Sequence, residues 1–242
     1  MHVGIQFGLV MISVSRIVGW LVGLIGLALS LFTLLHLILM LSTQSVGLVN
    51  EDVPCCGRYL KPLLWNLCVH ALFVLQHSVM SSDAWKMALS RVGVGELIHR
   101  PLYVICSCAV LLLIIFHSAV LPGPPLWYFD VAEYPTLWLA LTVLHCLMWF
   151  VICAGAVGAQ PMEFIGLKPL YSDNVPQKDA AAAERMNPRH VGVVAFIVIL
   201  WVHMAMSVER FQLAMTWTLY VLFGHQYTPS AVYVLQAQKK QT

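Results

Sequence analysis

The chain has 242 residues, of which 60% are hydrophobic and only 10% charged. A soluble domain carries about 25% charged residues, so a water-exposed surface cannot be built from this composition, and lipid is the solvent for most of the chain. The net charge of +2, with no basic stripe interleaved with aromatics, excludes a nucleic-acid partner.

The charge-free runs place the elements in chain order. The first covers 17–41, long enough to cross the bilayer and too long for a signal h-region. No basic stretch precedes it, so the start does not read as a secretory signal. Gly19, Gly23 and Gly26 lie on or near one face of this run, and small residues at that spacing permit close helix approach. An intramolecular contact is expected. The second run, 63–80, is entered through Lys61-Pro62. The third, 101–121, opens on Pro101, a residue suited to a first helical turn. The fourth covers 136–158, the fifth 191–208 and the sixth 211–228, before Pro229. The spacing predicts an all-α, polytopic membrane protein of about six transmembrane helices in a single domain, 1–242. Glu209-Arg210 alone separates the last two runs, which predicts a tight antiparallel hairpin with those two residues as its link. The 159–190 segment is the long polar loop, with a short helix expected over 179–184 and ended at Asn187-Pro188.

Of the cysteines, Cys68, Cys106, Cys108, Cys146 and Cys153 fall in predicted helices and read as buried apolar residues. Cys55 and Cys56 sit in a loop, and no paired CxxC frame suggests zinc. Lys and Arg divide unevenly about the predicted spans. Arg16, Lys86, Arg91, Arg100, Lys168, Lys178, Arg185, Arg189, Lys239 and Lys240 fall on one side, and Arg58, Lys61 and Arg210 on the other. Basic residues favour the cytoplasmic side, so both termini are expected there, or in the compartment continuous with it.

Polar groups inside the membrane each need a reason. His36, His70, His77, His117, His145 and His203 lie in or near the helices. His70 and His77 are two helical turns apart, with Gln76 beside the second. One reading is a haem or metal site between helices. The commoner role is a neutral imidazole that hydrogen-bonds across helices, so packing is expected and no metal. Arg189-His190 stands at the start of the closing hairpin. It reads as an interfacial basic pair, or as a polar clamp for a cofactor.

Several strings resemble the nurim family of multi-pass membrane proteins. They are Phe73-Val-Leu-Gln-His-Ser-Val-Met80, Arg100-Pro-Leu-Tyr-Val104, Gly123-Pro-Pro-Leu-Trp127 and Ile165-Gly-Leu-Lys-Pro-Leu-Tyr171. Arg189-His190 and Leu219-Tyr-Val-Leu-Phe-Gly-His225 complete the set. The resemblance implies an inner nuclear membrane protein with nuclear-envelope or lamina-associated partners and no established catalysis. It further implies a distant relation to isoprenylcysteine carboxyl methyltransferases, which bind S-adenosylmethionine beside a closing hairpin. Carried over, that cofactor would meet Arg189, His190 and His225. The pattern is broken twice. Val191 stands where those enzymes have proline, and no Asp, Glu or Arg follows His225. No cofactor and no catalytic residue are therefore expected, with S-adenosylmethionine-dependent methyl transfer to a lipidated substrate as the alternative.

Overall fold

The computed structural model describes residues 2–43, 56–91, 95–121, 123–158 and 188–224, and the side chains of 2–15, 56–58, 95–97, 158, 188–190 and 224 lie outside that description. Seven helices are present among the described residues. They are α1 (His2–Ser42), α2 (Cys56–Ser81), α3 (Asp83–Ser90), α4 (Gly95–His117), α5 (Pro135–Gly158), α6 (Pro188–Trp201) and α7 (Val208–Gly224). Two short strands, β1 (Trp127–Tyr128) and β2 (Ala205–Met206), complete the described elements.

Four helical stretches are long and apolar enough to cross a membrane: Arg16–Ser42, Tyr59–Ser81, Ile98–His117 and Pro135–Val157. The closing helices are shorter. α6 has 14 residues and α7 has 17, about 21 and 26 Å at about 1.5 Å per residue. The four long helices and the closing pair form the all-α polytopic architecture that the hydropathy predicts. Ile17, Leu24, Leu35, Leu75 and Phe150 point outward, each at least half exposed. Such a surface suits hydrocarbon and would aggregate in water.

α1 and α2 both pack on α4, while α6 packs between α5 and α7 and α2 meets α7. Leu41, Val69, Phe73, Ile114, Trp149, Ile199, Leu200, Leu213 and Ala214 form the core. Gly19, Gly23 and Gly26 are buried within the chain. They share a stripe with Ser30, whose hydroxyl lies 3.7 Å from Cys108 Sγ of α4. Cys108 is buried, Cys106 and Cys153 half-buried, but Cys68 and Cys146 are exposed on the outer face, contrary to the expectation of burial. All five are free thiols, and in lipid an outward thiol remains in an apolar medium.

The link of the closing hairpin is corrected. Glu209 and Arg210 lie in the first turn of α7, and the link is 202–207. The segment leaves the helix because β2 pairs antiparallel with β1, Trp127 opposite Met206 and Tyr128 opposite Ala205. Leu126 N donates to Met206 O at 2.7 Å and Phe129 N to Met204 O at 3.0 Å. The hairpin itself stands. Trp201 Nε1 donates to Thr218 Oγ1 at 3.0 Å, and the Phe196 and Trp217 rings meet at 5.2 Å. Glu209, acidic at a helix start, complements the dipole there.

α2 and α4 begin before Pro62 and Pro101, which sit inside their helices. α3 adds a short helix in the second connection. Its N-cap Ser82 accepts from Trp85 N, and Lys86 pairs with Asp83 at 2.8 Å. Gly123 adopts φ of 141°, where L side chains are strained. A Cβ there would also lie 3.2 Å from the Tyr59 hydroxyl. The glycine therefore turns the chain out of α4 and lets it lie against α2.

Candidate functional site

The polar residues concentrate where α1 ends, α2 begins, α4 ends and α7 begins. A helix end leaves its last carbonyls without intrahelical donors, and in a membrane those groups need partners from elsewhere in the protein. Here they receive them from side chains of other helices. Trp65 Nε1 donates to His117 O at 2.7 Å. Asn66, 1% exposed, uses its whole amide on one residue beyond α4. Its Nδ2 donates to Ala119 O at 2.8 Å, and its Oδ1 accepts from Ala119 N at 2.7 Å. The α2 side chain thus replaces the next strand or helical turn for the chain leaving α4.

Arg210 does the same for α1. Its Nη2 donates to Met40 O at 3.2 Å and to Thr43 O at 2.6 Å. A cation at a helix C-terminus is favoured by both the free carbonyls and the dipole. Its Nη1 donates to His203 Nδ1 at 3.0 Å. The His203 carbonyl accepts from Trp127 Nε1 at 3.2 Å, which joins the 123–134 loop to the link. Glu209 Oε2 accepts from Leu121 N at 3.4 Å, and Gln212 Nε2 donates to Leu63 O at 3.2 Å. His145 of α5 sits beside the group. Its Nε2 accepts from Trp149 Nε1 at 3.0 Å and meets Ser42 Oγ at 3.1 Å, and its ring lies 5.7 Å from that of His203.

His203, in the link, is buried next to a permanent cation. Burial first, then Arg210 and His145, depress its pKa from the ordinary 6.5 to about 3. The fold therefore favours the neutral ring. That stabilisation is complete above the unfolded value of 6.5 and is lost as the pH falls towards about 3. The loss at pH 5 is about 2 kcal/mol. Thermal unfolding of purified protein is expected to show this acid sensitivity, and His203→Gln to reduce it. Equal acid sensitivity in the two proteins would refute the assignment to His203.

His70 and His77 have separate partners. His70 Nδ1 lies 2.6 Å from Asn66 O of its own helix. His77 instead meets the Tyr103 hydroxyl of α4, 2.6 Å from Nε2, and stacks on Phe73. Gln76 Nε2 reaches Ser107 Oγ at 3.4 Å. Each imidazole thus makes its own packing contacts, and no group of three or more potential metal ligands forms among the described residues.

Arg189 and His190 lie in the first turn of α6, with their side chains outside the description. His225, Cys55, the helix expected over 179–184 and the rest of the 159–187 loop also lie outside the described residues. Asn66 is a central residue that the sequence reading did not single out, and Arg210 was read as part of the hairpin link. The available signal was an amide within an apolar run and a cation between two such runs, which intramembrane cost arguments mark as needing a partner.

Long apolar helices, closed at one end by side chains bound to neighbouring backbones, define a polytopic α-helical membrane protein. No protein-family model matches the chain, and no solved structure matches it. Nurim of Rattus norvegicus is 33% identical over 177 residues, covering 69% of this chain and 66% of its own length. Nurim of Homo sapiens is 32% identical over 190 residues, covering 74% and 71%. The nurim homologue of Drosophila melanogaster is 28% identical over 167 residues, covering 66% of each. The aligned segment thus spans about two thirds of the length of these relatives. The chain belongs to the nurim family.

Proposed function

We propose that the chain is a structural, multi-pass component of the inner nuclear membrane and the endoplasmic reticulum continuous with it, without retained catalysis. One observation carries the reading. Asn66, Arg210, Trp127 and Gln212 each bind the backbone of another element. Such side chains make a rigid bundle suited to holding a position in a membrane and to contacting nuclear-envelope or lamina-associated proteins. The family likeness supports the location. The methyltransferase alternative would draw on Arg189, His190 and His225 at the cofactor, and the reading does not depend on them.

The uneven distribution of Lys and Arg supports both termini in the nucleoplasm or cytosol and the 123–134 loop in the lumen. The side-chain bonds support the same sidedness, because they gather the end of α1, the start of α2, the end of α4 and Arg210 at one face.

Replacing residues from Val53 onward with unrelated membrane spans is expected to abolish the nuclear-rim signal of a fluorescently tagged chain. A rim signal that survives the swap would defeat the proposal. In the unswapped chain, a glycosylation acceptor between Gly123 and Pro135 is expected to be modified and one at Thr242 to remain unmodified. The reverse pattern would overturn the orientation.

A further inference from the structure

A cleft of about 170 Å³ opens among α1, α2, α4 and α7, beside the bonds of Arg210. Its polar wall includes Asn66, His70, Glu209 and Arg210, and Leu41 and Leu213 contribute to the apolar part. Most of these polar groups are already bonded. The Asn66 amide is taken by Ala119, and the Arg210 guanidinium holds two carbonyls and His203. His70 is different. It is 2% exposed, and a carbonyl can only accept, so its Nδ1 carries the hydrogen that bonds Asn66 O. Nε2 is left as an acceptor. It is buried without a hydrogen-bond partner among the described residues.

A buried acceptor needs a donor. The second group on offer, the Glu209 carboxylate, is also an acceptor. A phosphate head would meet an Arg210 guanidinium already committed to two carbonyls and His203, and would face a lone pair and a negative charge. A hydroxyl matches, since it can donate to Nε2 and still accept from a neighbour. Depth points to a lipid as the source. Asn66 is level with Ala119, just past the end of α4, so His70 lies one turn, about 5.4 Å, further into the bilayer. Three of the surrounding helices, α1, α2 and α4, are long and apolar enough to cross a membrane, and much of the wall is apolar.

We propose that this cleft binds the hydroxyl head of a neutral lipid alcohol, with the hydroxyl donating to His70 Nε2. Sterols and diacylglycerols share that chemistry. The site is independent of the structural reading above.

The test uses the full chain in lipid nanodiscs with three photoreactive, clickable probes: a diazirine sterol, a diazirine diacylglycerol and a diazirine phosphatidylcholine. At least one of the two alcohols is expected to label peptides of the cleft at least fivefold above phosphatidylcholine. The alcohol that does so identifies the source. Its unlabelled form should compete, and its O-methyl ether, which has no donor, should not. His70→Phe is expected to reduce labelling at least fivefold. Ala119→Leu narrows the cleft while retaining the backbone bonds to Asn66, so it serves as a second variant if the first fails to fold. With fold confirmed by an unchanged melting temperature, it should reduce labelling likewise. Equal competition by the ether, labelling spread evenly over the outer helix faces, labelling unchanged in folded Ala119→Leu, or no labelling above phosphatidylcholine would each overturn the proposal.

Discussion

Arg210→Met is expected to destabilise the protein by on the order of 3 kcal/mol. The guanidinium holds two carbonyls at the end of α1 and the His203 ring. Hydrogen bonds from a charged donor are worth about 1.5–3 kcal/mol each, and intramembrane polar bonds measure lower, nearer 1 kcal/mol. Methionine fills similar volume but strands all three acceptors. Arg210→Lys should fall between, because a single ammonium lacks the planar, multi-donor geometry that reaches both carbonyls and the ring. Thermal unfolding of purified protein, followed by size-exclusion chromatography, reads both. Should Arg210→Met melt with the wild type, the contact is incidental and α1 is held by packing alone.

Asn66→Leu is expected to lose about 2–3 kcal/mol. The amide makes two bonds to one residue, and a leucine leaves both the N–H and the C=O of Ala119 without that partner. Asn66→Asp is the sharper probe. The ionised carboxylate keeps the bond from Ala119 N but faces Ala119 O with a second acceptor. Protonation restores a donor. The aspartate variant should therefore be destabilised at neutral pH and regain stability, relative to Asn66→Leu, on acidification. A parallel response of the two variants to pH would mean that the donor half of the amide contributes nothing.

Hydropathy located the long spans because a stretch such as 136–158 has one solvent from end to end. It failed at the hairpin link for the same reason. Val202, Met204, Ala205 and Met206 are as apolar as the helix before them, and a short apolar run does not distinguish strand from helix. What decides the matter is β1, whose Trp127 and Tyr128 lie 79 and 77 positions from their partners Met206 and Ala205, and no local pattern records it. The α3 start was legible in Ser82-Asp83, an N-cap followed by an acid, though it lay in a connection read as loop. The histidine pair shows the limit of spacing. His70 and His77 share a helical stripe, yet one turns to its own backbone and the other to Tyr103, because the neighbouring helices offer different groups at the two heights. Asn66 was visible as one of several polar residues in its run, with His70, Gln76 and His77, but its partner is a backbone that sequence cannot mark.

The bonds between Arg210 and the end of α1 join residues 167 and 170 positions apart. A ribosome adding roughly 5–20 residues per second delivers the arginine about 10–30 s after the carbonyls it binds. Through that interval α1, α2, α4 and α5 have emerged, while Met40 and Thr43 still lack this donor and β1 still lacks its partner strand. Among the described helices, the first is thus secured by the last. A nascent chain stopped short of Arg210 would carry the four long apolar spans found among the described residues and remain unlatched.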